Sequence, residues 1–172
     1  MNTYKLTLIA VLAALAVVGR FAFQHIPNVQ PVTTLIIICG FFLGPVAAMI
    51  LAVLTTYLSN LFLGMGIWTI WQIVAWALIG LGSGLIGLWK IKRPLYVLVG
   101  FAVFSGYFYG LIVSLSNYII TGKYFAYYLA GLPFDTYHAV GNGLFMVILY
   151  PALSVIFKRY NKRYVHTKIP TQ

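Results

Sequence analysis

Apolar residues run almost unbroken from Leu6 to Phe23, directly after Lys5, and recur in Val32 to Leu63, Thr69 to Trp89, Leu95 to Ile120 and Thr136 to Phe157. A helix of about 20 residues crosses a hydrocarbon core of about 30 Å, so each stretch but one has the length of a single span. The exception, Val32 to Leu63, would form one helix of about 48 Å at roughly 1.5 Å per residue. Gly44-Pro45 divides it, because proline suits the first turn of a new helix. The pattern predicts helices over 6–23, 31–43, 45–63, 69–89, 95–120 and 136–157. That is an all-α integral membrane protein, with residues 1–172 forming one membrane domain built as a six transmembrane helix bundle.

Charge then orients the bundle. The 172 residues include 11 Lys and Arg but one acid, Asp135, while 62% of positions are hydrophobic and mean hydropathy is +0.97. The cations sit at the ends of apolar stretches instead of along a polar face, so they report topology and not nucleic-acid binding. With six spans and a cytoplasmic N-terminus, every Lys and Arg except Arg20 and Lys123 falls inside. Were Val32 to Leu63 one span, the Lys90-Ile91-Lys92-Arg93 loop and the basic tail 158–172 would lie on opposite sides. Both termini are therefore expected in the cytoplasm, where the tail meets anionic lipid headgroups. The first run has the basic start and the small residues, Ala14 and Ala16, of a signal sequence. Removing it would leave five spans and the same demand from the basic clusters, which favours a retained first helix.

The scarcity of acids excludes several kinds of chemistry. Ion-coupled transporters commonly place carboxylates inside the membrane, and Asp135 is expected in an external loop or at a helix start. No glycine-rich Lys-Ser/Thr phosphate loop occurs, so ATP-driven work must belong to another subunit. Cys39 is alone in an apolar helix and reads as a packing residue. Gly82-Ser83-Gly84 with His138 evokes a serine–histidine membrane protease. Yet Ser83 is expected roughly 21 Å down the fourth helix, and His138 within a turn of the outer end of the sixth, out of mutual reach. Small residues packing helix on helix explain Gly80-Leu81-Gly82-Ser83-Gly84 and Gly106-Tyr107-Phe108-Tyr109-Gly110 more simply. The chain is not expected to be an enzyme.

Polar and aromatic residues collect on the outer face, where three connecting segments meet. Arg20 to Pro31 carries Gln24, His25, Asn28 and Gln30, on a path that its prolines keep non-helical. Gly64 to Thr69 leads into Trp71, Gln72 and Trp76, and Trp68, Gln72 and Trp76 share one helix face, an amide between two indoles suited to a flat ring. Asn117 to Asn142 contributes Tyr124, Tyr128, Asp135 and His138 besides Asn117 and Asn142 themselves, together with Tyr118, Lys123, Tyr127 and Tyr137. Aromatic walls with a few aimed polar groups are what ligand pockets use. Any single tyrosine also suits interfacial anchoring. Asp135 suits an N-cap of the sixth helix or a ligand contact, and Arg20 either snorkels or pairs with an anionic ligand group. Two histidines, His25 and His138, do not define a metal site, and none is expected.

Six short helices, a basic C-terminus and an outer pocket, with Ala10-Val11-Leu12-Ala13-Ala14 on the first helix, resemble the substrate-binding S component of energy-coupling factor (ECF) vitamin transporters. Arg20 to Gln24 with Pro27-Asn28-Val29-Gln30-Pro31, Gly40 to Pro45, and Gly64 to Gln72 are similar, in that order, to the family's first loop, its second-to-third helix turn and its third loop. The resemblance implies a vitamin bound at the extracellular face of the bacterial cytoplasmic membrane. Ala10 and Ala14 would dock a transmembrane coupling subunit carrying two cytosolic ATPases, so ATP is used by partners and the chain needs no intrinsic cofactor. The loops most resemble the cobalamin type, while riboflavin or another flat vitamin suits the same residues. A non-transporting scaffold or a self-sufficient facilitator are the readings from other classes.

Overall fold

The computed structural model describes the backbone of residues 3–164 and the side chains of residues 3–160. Within them every regular element is a helix: α1 (Thr3–Ala22), α2 (Val32–Leu43), α3 (Pro45–Leu63), α4 (Trp68–Ile86), α5 (Pro94–Thr121) and α6 (Tyr124–Tyr164). Five of these are long and apolar enough to cross a membrane; α2, with 12 residues, is shorter. The chain alternates direction, so the α1–α2, α3–α4 and α5–α6 connections share one end of the bundle. The α2–α3 turn and the α4–α5 connection share the other.

α2 occupies the centre. Every residue from Pro31 to Gly40 is buried, which an apolar helix with no polar face requires of its surroundings. Gly44 ends α2 at φ 88°, with its N–H on the Gly40 carbonyl at 2.8 Å, and Pro45 starts α3. The Lys5 ammonium donates to the Leu43 carbonyl at 2.6 Å, setting a cation at the negative end of the α2 dipole. Small residues let the helices close up. A Cβ on Gly40 would meet Ser83 and Gly80 of α4, one on Gly84 would meet Pro45, and one on Gly106 would meet the Ala139 backbone of α6. Both glycine-rich stretches are thus helix-packing surfaces, as the sequence suggests.

The sixth helix departs from expectation. Instead of starting at 136, it starts at Tyr124 and runs 41 residues, about 61 Å, with Pro133 and Pro151 inside it. The expected loop over 121–135 shrinks to Gly122 and Lys123, with Gly122 in the left-handed conformation at φ 70°. Asp135 is therefore a mid-helix residue and not an N-cap, and His138 lies roughly 21 Å from the helix start instead of within a turn of it. Gly131-Leu132-Pro133 followed by Asp135-Thr136 looks like a loop and a cap. Inside a bundle, neighbouring groups take up the backbone partners that proline frees. The carbonyl that Pro133 leaves without its donor is that of Leu129, and nearby Thr136 Oγ1 donates to the Leu132 carbonyl at 2.9 Å. Beyond the expected end at 157 the helix continues to Tyr164, so the first part of the basic tail is helical, and residues 165–172 lie outside the described residues.

Candidate functional site

The last turn of α1 delivers Arg20 into the bundle end that carries the three connections. Its Nη1 donates to Ser59 Oγ at 2.6 Å and to Asn60 Oδ1 at 2.8 Å, and its guanidinium carbon stands 5.4 Å from the centroid of the Trp76 ring. Asn60 passes the network on: its amide donates to Gln72 Oε1 at 2.8 Å and to Thr69 Oγ1 at 2.9 Å. Trp76 is fully buried and donates its indole N–H to Thr33 Oγ1 at 2.9 Å. Thr33 Oγ1 in turn lies 2.8 Å from His138 Nε2. The Tyr109 ring closes the group, 4.8 Å from both the Trp76 and His138 rings. Every helix thus contributes to one buried polar cluster, of the kind that membrane-embedded polar groups form when they serve a function. Beneath it Thr34 Oγ1 donates to the Asn142 carbonyl at 3.0 Å. Among the described residues, Thr55 Oγ1, His138 Nδ1 and Asn142 Oδ1 are buried without a partner.

Two cavities flank this cluster and meet at Asn28. The first, about 310 Å³, lies under the α1–α2 connection; Arg20, Gln24, Asn28 and Gln30 give it polar groups, and Phe23, Ile26, Val29 and Leu63 wall it. The second, about 290 Å³, opens between α5 and α6. From α5 come Tyr109, Gly110, Val113, Ser114 and Asn117; from α6, Tyr127, Gly131, Phe134 and Asp135; Gln72 and Asn28 complete it. Asn28 holds φ 57°, a conformation that asparagine tolerates better than most residues. A further cavity of about 310 Å³ on α3, among Val46, Met49, Ile50, Val53 and Leu54, offers a ligand no polar side chain.

The expected site residues divide accordingly. Gln24, Asn28, Gln30, Gln72, Asn117 and Asp135 line the two cavities. Trp76, His138 and Asn142 lie beneath, fully buried in the polar cluster. His25 is exposed on the connection, Trp71 is partly buried, and Trp68 is 44% exposed and packs over Gly66, so the two indoles do not bracket Gln72 as the shared helix face suggests. Tyr124 and Tyr128 stack on each other at 6.1 Å, and Tyr124 donates to the Leu111 carbonyl at 2.8 Å. Ser83 donates to the Gly80 carbonyl at 3.0 Å while His138 bonds Thr33, so the serine and histidine serve different neighbours. Sequence reasoning passed over Thr33, Ser59, Asn60, Ser114 and Phe134. It noted Tyr109 only as part of a glycine-rich stretch. An amide near the end of a mostly apolar helix is the signal that pointed to Asn60.

Comparison with known proteins agrees with this architecture. No solved structure matches the chain. The family model described as ECF transporter, substrate-specific component, matches residues 4–157, nearly the whole length. With its apolar helices, that match makes this a multi-pass membrane protein whose role is to bind a transport substrate, not to catalyse a reaction; the chain belongs to the substrate-specific components of ECF transporters.

Proposed function

We propose that this chain captures a vitamin at the extracellular face of the bacterial cytoplasmic membrane and passes it inward with a coupling subunit and two ATPases. The observation that carries the reading is the pair of cavities meeting at Asn28 above the Arg20–Asn60–Gln72 network. Charge supports the orientation: Lys5 and the Lys90-Ile91-Lys92-Arg93 segment share the opposite end, which the positive-inside rule assigns to the cytoplasm. All six helices then count as crossings or near-crossings, with both termini inside. Among vitamins, the loop pattern favours cobalamin. A corrinoid is larger than either cavity, so its capture requires the α1–α2 connection to lift at Asn28 and the cavities to merge. A riboflavin-sized molecule demands far less opening, which makes riboflavin the second reading.

Ala10 and Ala14 are both exposed on α1, whose inward residues are Ile9, Leu12, Ala13 and Ala16. Their small side chains leave room for a second helix to approach closely. Replacing Ala14 with Trp is expected to cut copurification of the coupling subunit at least tenfold and leave vitamin binding unchanged. Equal copurification would remove α1 from the docking face. The decisive experiment is native mass spectrometry of the chain purified from its own host in mild detergent. Recovery with a coupling subunit, two ATPases and a vitamin-sized mass is the expected result; a bare chain without ligand would favour a scaffold or facilitator.

A further inference from the structure

Asp135 is the single acid of the sequence, and it sits in an unusual place. It is 5% exposed, just past Pro133 in α6, and it lines the cavity between α5 and α6. Among the described residues it makes no hydrogen bond or ion pair. Its carboxyl occupies the space where a side chain on Gly110 would stand, so α5 is notched to admit it. Its oxygens face the cavity and not packed protein, so whatever fills the cavity must meet them, and a helix bundle that needed only packing there would hold an apolar residue. Tyr109 and Phe134 wall the same cavity with aromatic rings, whose faces attract cations.

We infer that Asp135 is a specificity-determining residue, the acceptor for a cationic or N–H-donating nitrogen group of the transported molecule. The inference rests on the vitamin-capture reading and names the chemistry that one of its cavities selects. A nitrogen donor entering between α5 and α6 completes the missing partner of Asp135, with Asn28, Gln72, Ser114 and Asn117 available to the ligand's other polar atoms. The α1–α2 side has no equivalent need, because Arg20 is already bonded to Ser59 and Asn60. Selection by charge and hydrogen bonding is thus concentrated in one of the two cavities.

The test uses the full chain in detergent, with hydroxocobalamin, riboflavin and thiamine as probes, each of which presents N–H donors or a positive charge. Affinities for wild type, D135N and D135A are compared with the thermal midpoints of the same ligand-free proteins. At least one probe is expected to bind wild type and to lose tenfold or more in affinity in D135A, and in D135N as well where the bonded nitrogen is cationic, while the ligand-free D135N midpoint stays equal or rises. That pairing of weaker binding with undiminished stability is what a merely structural aspartate would not give. A probe that binds wild type and D135A equally overturns the role of Asp135 and leaves vitamin capture standing. A fall in the D135N midpoint with unchanged affinity makes Asp135 a structural residue. Failure of all three probes to bind wild type overturns this inference together with the reading on which it rests.

Discussion

Arg20 and Asp135 are both charged side chains drawn into an apolar bundle, and their surroundings could hardly differ more. Arg20 enters a corner built by α1, α3 and α4, where Ser59, Asn60 and the Trp76 ring already meet its guanidinium. Asp135 enters the cleft between α5 and α6, where no described residue bonds it. Side chains bonded across helices, as at Arg20, hold those helices together, whereas a carboxylate that faces a cavity without a protein partner is open to what enters the cavity. The first corner reads as scaffold and the second as receptor, although both border the same connection at Asn28.

The largest effect is expected from breaking the scaffold. Arg20→Ala leaves Ser59 and Asn60 without their donor and removes the cation over Trp76. Hydrogen bonds to charged groups contribute about 1.5–3 kcal/mol each, and Asn60 Oδ1, left without a donor, adds its own desolvation cost. A loss of about 3 kcal/mol is expected, read as a lower unfolding midpoint of the ligand-free protein in detergent. Arg20→Lys keeps the charge with a single ammonium and is expected to lose about half as much. If Arg20→Ala melts like wild type but no longer binds the vitamin, the roles of the two corners are exchanged.

A matched pair of glycine substitutions probes the other side of the comparison. The added Cβ of Gly106→Ala meets the Ala139 backbone, which can move only by parting α5 from α6. Overpacking of that kind costs typically about 1–3 kcal/mol. The added Cβ of Gly110→Ala meets the Asp135 carboxyl, a side chain free to rotate toward the cavity. Gly106→Ala should therefore lower the thermal midpoint more, and Gly110→Ala should lower vitamin affinity more. Equal midpoints and equal affinities would mean that the α5–α6 cleft is neither tightly closed at Ala139 nor used by the ligand at Asp135.

How much of this was legible in the sequence follows from how local each signal is. The α2–α3 break was readable because Gly44 and Pro45 act through their own backbones, and the structure keeps the glycine at positive φ. The start of α6 was not, because Pro133 punctuates a soluble helix but only interrupts one hydrogen bond of a helix held by its neighbours. Amides near the connections were readable as cavity-lining residues because they are scarce in apolar stretches, and Asn28, Gln72 and Asn117 do line the cavities, although Asn60 was passed over. Hydroxyls were not, since a serine or threonine in a membrane helix usually bonds its own backbone, as Thr56 does to Ala52 and Ser105 to Phe101. Only the fold distinguishes these from Thr33, which links α2 to α4 and α6. Trp68 misled for a related reason: sharing a helix face with Trp76 does not fix how far each ring lies from the bundle axis.

The smallest effect concerns Asn28, where the two regions meet. Its φ of 57° makes backbone and side chain separable. Glycine adopts this conformation without the Cβ penalty of about 1 kcal/mol, so Asn28→Gly is expected to leave the unfolding midpoint within about 0.5 kcal/mol of wild type. Asn28→Ala keeps the Cβ but lacks the short polar side chain that eases it, so a slightly lower midpoint is expected. Both variants lose the amide that borders the two cavities, and both should weaken vitamin binding by a similar factor. If only Asn28→Ala weakened binding, the backbone turn of the α1–α2 connection would be what the ligand reads. If neither did, the scaffold corner and the receptor cleft would be independent of each other at the residue where they touch.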